Sequence, residues 1–148
     1  MIARTHSEEE TAEIARRLAG RLPRSAVVLL YGELGAGKTA FVRGLVAGVG
    51  GEADEVNSPT FALIQEYPAP RPVHHVDLYR LTGAETDDLG LDELSEGPGL
   101  VAIEWADRLG APIPGAFVVH IDDRGGDERE IRIEEPADTP APRNRCSL

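Results

Sequence analysis

The chain has 148 residues, of which 41% are hydrophobic and 28% charged, and this predicts one soluble globular domain with a core of its own. A single cysteine, Cys146, excludes a disulfide scaffold or a multi-cysteine zinc site and is typical of a reducing compartment. Its 15 basic and 26 acidic side chains give a net charge of −11, which excludes an extended basic groove for nucleic acid and favours a local phosphate site.

Targeting and membrane segments are not expected. Residues 1–7 lack the apolar run of a signal peptide. No stretch approaches the roughly 18 consecutive apolar residues that a membrane span needs. The sequence therefore predicts a cytoplasmic protein that does not associate with membranes.

The first part of the chain predicts a helix, a strand and a second helix. Ser7 and Glu10 have the S-x-x-E spacing of a capping box, which predicts a helix over residues 8–21 that ends before Pro23. The apolar run 26–31 predicts a strand buried on both faces. A second helix is indicated by apolar residues at helical spacing, Phe41, Val42, Leu45, Val46 and Val49.

The rest of the chain predicts mainly strands. Segments 60–67 and 73–79 are strand-like and flank a proline-rich stretch, so a hairpin or an adjacent strand pair is expected. The acidic segment 82–99 predicts one or two short helices, at 83–88 and 91–96. Further strands are predicted at 100–103, 116–121 and 130–134, and residues 136–148 are predicted to be a disordered tail after a domain of residues 1–135.

The strongest motif lies between the first buried strand and the second helix. Gly32 to Thr39 matches G-x-x-x-x-G-K-[ST], the motif of a phosphate-binding P-loop. In such a loop backbone N–H groups surround phosphate oxygens, Lys38 reaches the β and γ phosphates, and the Thr39 hydroxyl binds magnesium. The predicted nucleotide-binding residues here are Glu33, Leu34, Gly35, Ala36, Gly37, Lys38, Thr39 and Ala40.

This motif and the order of elements predict an α/β fold. We expect a single P-loop NTPase-like domain with a mixed, mostly parallel sheet and helices on both faces.

A second magnesium ligand is needed beside Thr39, and two carboxylates are candidates. Glu104 follows a uniformly apolar run, and Asp77 follows Val-His-His-Val. Both end a predicted strand, where α/β sheets place their ligands. The apolar strand before Glu104 indicates a central position in the sheet and favours Glu104.

Other polar residues are candidates from position. Ser58 and Thr60 stand where many P-loop proteins have a loop that senses the γ-phosphate, although Ser-Pro-Thr is also common in turns. His74 and His75 are strand neighbours on opposite faces, so they cannot bind one ion, and a structural or hydrogen-bonding histidine is the simpler interpretation. No N-K-x-D motif for guanine is present, so ATP is the expected nucleotide. The arginines that could stabilise phosphate charge are Arg43, Arg80, Arg108 and Arg129.

Taken together, these motifs resemble one family, the P-loop ATPase TsaE, also called YjeE, of bacterial tRNA threonylcarbamoyladenosine biosynthesis. The resemblance covers about residues 5–134. It is carried, in the family's order, by Tyr31–Thr39, Ser58–Phe61, His75–Leu81 and Ile103–Trp105.

The resemblance implies roles for the candidate residues. Thr39 and Glu104 would share magnesium, Asp77 would lie beside the phosphates and the metal, and residues 58–60 would form a switch-like loop. Lys38, Asp77 and Glu104 would be the catalytic residues. Either Asp77 or Glu104 would orient or deprotonate water, and the residues leave that choice open.

The resemblance also implies partners and more distant contacts. Residues 7–9 would approach the adenine, and Arg129 would face the nucleotide. The protein would bind and hydrolyse ATP weakly alone and act with two partner proteins, TsaB and TsaD. Contact with tRNA would be indirect, through that complex.

Two other functions use the same loop. A small-molecule or nucleoside kinase normally adds a lid with several arginines, and segment 82–99 contains none. A nucleotide-gated interaction module would hold ATP with negligible turnover.

Overall fold

The computed structural model describes residues 1–32, 37–53, 56, 64–78, 99–106, 113 and 115–136. Within these residues lie seven strands and two helices. In chain order they are β1 (Ile2–Thr5), α1 (Glu8–Ala19), β2 (Ser25–Tyr31), α2 (Lys38–Gly48), β3 (Ile64–Tyr67), β4 (Val73–Asp77), β5 (Gly99–Glu104), β6 (Phe117–Gly125) and β7 (Glu128–Glu134).

All seven strands form one mixed sheet in the order β1-β7-β6-β2-β5-β4-β3. The central strands β6, β2, β5 and β4 are parallel to one another, and antiparallel pairings join β1, β7 and β3 at the two sides. The predicted α/β fold with a mixed sheet is therefore confirmed. The predicted pairing of the two strands around the proline-rich stretch is confirmed as the antiparallel pair β3–β4.

The side chains of β2 alternate between two apolar layers, as a strand buried on both faces requires. Val28 and Leu30 belong to the cluster that contains α1 and α2. Val27 and Leu29 belong to a second cluster on the opposite face of the sheet. Both described helices cover the first face, and neither is long and apolar enough to cross a membrane. The short helices predicted at 83–88 and 91–96, and the tail from 137, lie outside the described residues.

The described elements follow the predicted order but differ at several ends, most at β6, which runs to Gly125 instead of ending at residue 121 because its pairing with β7 continues to there. The capping box of α1 is confirmed, since the Ser7 hydroxyl accepts from the Glu10 N–H at 3.0 Å. Helix α1 ends at Ala19, before the predicted end, because Gly20 caps it and its N–H turns back to the Leu18 carbonyl. Strand β1 was not predicted. Its four residues show no apolar alternation, and its pairing depends on β7, which is distant in sequence.

Helices α1 and α2 pack closely because α2 presents glycine where they meet. A methyl group on Gly44 would overlap the Ala12 carbonyl oxygen and lie 2.7 Å from Ala15 Cβ. One helical turn later, a methyl group on Gly48 would lie 2.7 Å from Ala19 Cβ. Contacts this short cannot be accommodated without moving one helix.

We expect Gly44→Ala to lower the free energy of unfolding by about 1–3 kcal/mol, because the clash in a packed interface outweighs the better helix propensity of alanine. Gly20→Ala is the matched control. Its backbone is right-handed helical and the nearest atom to an added methyl is 3.6 Å away, so stability should stay unchanged or rise by up to about 1 kcal/mol. Urea unfolding measures both, and equal stability of the two variants would contradict the close helix contact.

Candidate functional site

The carboxyl ends of three parallel strands meet at one edge of the sheet. The register pairs Leu30 of β2 with Glu104 of β5, and Glu104 with Asp77 of β4. Paired residues share a face, so both acids lie on the face that α1 and α2 cover. The sequence predicted both carboxylates at strand ends, and the structure brings them side by side. It also confirms that the strand before Glu104 is central and fully buried.

The first turn of α2 lies at the same edge and differs from the first turn of α1. Helix α1 begins with three glutamates and a serine cap, which satisfy its amino terminus from within the chain. Helix α2 begins after Gly37, whose φ of 106° favours glycine, with no side-chain cap and no acidic residue in its first turn. A helix start of this kind presents backbone N–H groups and the positive end of the helix dipole to an anion.

Lys38 is the first residue of α2 and is 4% exposed. Its Nζ donates to the Gly32 carbonyl at 2.6 Å and lies 3.7 Å from the centroid of the Trp105 ring. A cation over an indole face gains about 0.5–2 kcal/mol, which helps to offset the cost of burying the ammonium group. Lys38 therefore connects the start of the glycine-rich motif to the residue that follows Glu104.

Trp105 has a backbone conformation that is uncommon for a large side chain. Its φ of 60° is the one positive value for a residue other than glycine in the described part of the chain. Such a conformation costs about 1–3 kcal/mol and is typical of functional sites. Here it immediately follows β5 and coincides with the contact between the indole and Lys38.

A buried polar cluster surrounds Glu104, which is 4% exposed. His75 is completely buried, and its Nε2 is hydrogen bonded to Glu104 Oε2. His75 Nδ1 lies 3.4 Å from the Tyr67 hydroxyl, which donates to Gln65 Oε1 at 2.6 Å. The interpretation of His75 as a hydrogen-bonding histidine is confirmed.

The neighbouring His74 points to the other face of the sheet. Its Nε2 lies 3.8 Å from Glu66 Oε2. The two histidines therefore have separate partners, as the alternation of side chains along a strand predicts.

The side chains of Glu104, Asp77 and Thr39 are of a chemistry that could hold a magnesium ion. In the described ranges, no group of three or more His, Cys, Asp or Glu side chains could hold a metal by itself. Asp77 is half-buried next to Glu104, and Thr39 lies in the first turn of α2. Two carboxylates and a hydroxyl are hard oxygen ligands of the kind Mg²⁺ prefers, and phosphate oxygens would complete the set.

The remaining predicted site residues divide into three groups. Ala40 is buried in α2. Arg129 Nη1 donates within its own β6–β7 hairpin, to the Gly126 carbonyl at 2.8 Å and the Glu128 carbonyl at 3.0 Å, so its nucleotide-facing role stays a prediction. Those outside the described residues are Glu33, Leu34, Gly35, Ala36, Ser58 and Thr60, together with the candidate arginines Arg80 and Arg108.

Two polar contacts near the site were not predicted. The hydroxyls of Thr5 and Thr11 lie 2.8 Å apart and are buried, and Thr11 Cγ2 is 4.0 Å from where a Cβ on Gly37 would lie. No sequence pattern indicated this pair. The contact of Tyr67 with His75 could have been predicted from the sequence. If the two strands pair symmetrically about the five-residue connection, His75 pairs with Gln65, and Tyr67 is the next residue of β3 on the same face.

Comparison with known proteins agrees with the motif analysis. The sequence matches the family model of the threonylcarbamoyl adenosine biosynthesis protein TsaE over residues 5–131. The chain belongs to the TsaE family. The tRNA threonylcarbamoyladenosine biosynthesis protein TsaE of Bacillus subtilis is 42% identical over 130 residues, which are 86% of this chain and 81% of that protein. The TsaE protein of Treponema pallidum is 38% identical over 111 residues, 74% of this chain and 82% of that protein.

A solved structure supports the fold. The crystal structure of YdiB from Bacillus subtilis has a TM-score of 0.76 and 34% identity to this chain, and the alignment covers 93% of this chain and 86% of that one. The α/β fold is therefore shared with YdiB. TsaE family proteins are involved in tRNA threonylcarbamoyladenosine biosynthesis, and the family predicted from the motifs is confirmed.

We expect Lys38→Met to change the fluorescence emission of Trp105 in the ligand-free protein, because the substitution removes a positive charge from the indole face. Trp105 is the only tryptophan in the chain, so the emission reports on one ring. Arg21→Met is the control, since Arg21 is exposed and its change should leave the spectrum unaltered. Identical spectra for wild type and Lys38→Met would contradict the contact.

Proposed function

We propose that this chain binds ATP with Mg²⁺ and hydrolyses it in the cytoplasm as a subunit of the tRNA threonylcarbamoyladenosine pathway, acting with TsaB and TsaD. The observation that supports this best is the buried Lys38, at a helix start without a side-chain cap, in contact with Trp105, which follows Glu104 in the chain; Glu104 is in turn paired with Asp77. Family membership supports the pathway. The motif of residues 32–39 supports the nucleotide.

Each residue has a physical task in this proposal. Amide groups at the start of α2 would bind phosphate oxygens, and Lys38 would exchange the Gly32 carbonyl for the β and γ phosphates. Thr39 and Glu104 would hold the magnesium ion, and the ion would neutralise negative charge on the phosphates. Asp77, next to Glu104 in the register, would lie close enough to orient water.

The charge of the chain supports indirect contact with tRNA. A net charge of −11 repels a phosphate backbone, so a tRNA-binding role for this subunit itself is disfavoured. A subunit whose affinity for TsaB and TsaD changes with the bound nucleotide needs no basic surface for tRNA. Hydrolysis would then reset the assembly between rounds of modification.

Substitution of Lys38 and Glu104 should separate binding from turnover. We expect Lys38→Ala to abolish measurable ATP binding, because the loop loses the charge that offsets the phosphates. Glu104→Ala should retain nucleotide binding and lose about 100-fold or more in kcat, because the metal is no longer held correctly. Calorimetry measures binding, and phosphate release in the presence of TsaB and TsaD measures turnover.

A reconstituted tRNA assay with threonylcarbamoyl-adenylate then tests the role. Several rounds of modification should require this chain and ATP. If Glu104→Ala still supports repeated modification, hydrolysis is dispensable and the chain is a nucleotide-gated module. Repeated modification without this chain would overturn the proposed role, and rapid phosphorylation of a nucleoside would indicate a kinase.

A further inference from the structure

His75 is a buried titratable residue to which the proposed function gives no task. It lies at the centre of β4, between β5 and the edge strand β3, and is completely buried. Among the described side chains it is the hydrogen-bond partner of the Glu104 carboxylate, and it contacts Oε2 alone. A buried carboxylate at the end of an apolar strand needs such a donor, since its oxygens have lost water.

The register of β4 and β5 explains why the imidazole reaches the carboxylate. His75 is paired with Ala102, so Glu104 is the next residue of β5 on the same face. In the proposed site Glu104 binds magnesium as a carboxylate, which only accepts hydrogen bonds, so Nε2 would be the donor of this hydrogen bond.

The other side of the ring is held by the edge strand β3. Tyr67 lies with its ring centroid 6.0 Å from that of His75 and at an interplanar angle of 38°. Its hydroxyl is 3.4 Å from Nδ1 and is itself fixed by Gln65 at 2.6 Å. The Tyr67 hydroxyl proton goes to Gln65, so it is the packing of the Tyr67 ring against His75 that helps to hold the imidazole beside the carboxylate.

We propose that His75 is a positioning residue that holds the Glu104 carboxylate in the orientation needed to bind magnesium. The inference rests on the proposed function, because it assumes that Glu104 is a metal ligand. The hydrogen bond from His75 to Oε2 restricts rotation of the Glu104 carboxylate before metal binds. Metal binding therefore loses less conformational entropy. Such supporting hydrogen bonds typically contribute about 10–100-fold to metal affinity or activity.

The test compares two substitutions of His75 that differ in one donor. His75→Leu introduces an apolar side chain of similar size and loses the donor, whereas His75→Gln places an amide N–H close to where Nε2 lies. We expect His75→Leu to weaken Mn²⁺ binding to the protein–ADP complex by about 10–100-fold, measured by electron paramagnetic resonance. ADP affinity without metal should stay the same, and His75→Gln should recover most of the Mn²⁺ affinity.

The adjacent histidine is the matched control. His74→Leu changes the same residue type on the same strand, but His74 lies on the opposite face near Glu66 and should not alter Mn²⁺ binding. If His75→Leu does not fold, as judged by circular dichroism, the comparison becomes His75→Asn against His75→Gln. The asparagine amide is too short to reach Glu104, so only the glutamine variant should bind Mn²⁺ like the wild type.

The outcomes separate this inference from the function on which it rests. Wild-type Mn²⁺ affinity in a folded His75→Leu or His75→Asn protein would overturn the positioning role and leave the ATPase proposal standing. Equal loss in His75→Gln and in the variants without the donor would also overturn it, since the loss would then follow packing. If the wild-type protein binds neither ADP nor ATP, the proposed function fails and the inference fails with it.

Discussion

The parallel register of β2, β5 and β4 is the constraint on which the candidate site depends. Because the three strands run in the same direction, their carboxyl ends lie at one edge, and their register places Leu30, Glu104 and Asp77 side by side. The chain that leaves β2 then enters α2 at the same edge. A shift of one residue in either pairing would move an acid to the opposite face of the sheet, away from the helix start.

Two buried charged side chains at this edge show how the fold prepares the site. Lys38 is held by a carbonyl oxygen and an indole face, and Glu104 is held by an imidazole. Partners of this kind let the charges remain in a region of low dielectric constant, where their effect on a bound phosphate or metal is stronger than in water. The uncommon backbone conformation of Trp105 fits the same interpretation, because the strain occurs where the Lys38 contact is made.

The helices support the site from one face of the sheet. Close packing at Gly44 fixes α2 against α1, and α1 in turn brings Thr11 next to Gly37 at the start of α2. The amino termini of the two helices differ. Helix α1 has a serine cap and glutamates in its first turn, whereas α2 has no side-chain cap and no acidic residue there. This difference in sequence distinguishes a structural helix start from one suited to an anion.

The sequence by itself determined the local features. Apolar periodicity and the Ser7 cap predicted α1 and the buried strands, the motif at residues 32–39 predicted the loop, and the positions of Asp77 and Glu104 after apolar runs predicted acids at strand ends. These features depend on neighbouring residues along the chain. They are therefore visible without a structure.

Only the tertiary structure decided which of these features meet. The pairing of β1 with β7, the imidazole contact with Glu104 and the indole contact with Lys38 join residues that are 29 or more positions apart. Such contacts depend on strand order and register, which are set by the burial of whole faces of the sheet. No local pattern encodes them, and the proposed role of His75 could be seen only after the strands were in place.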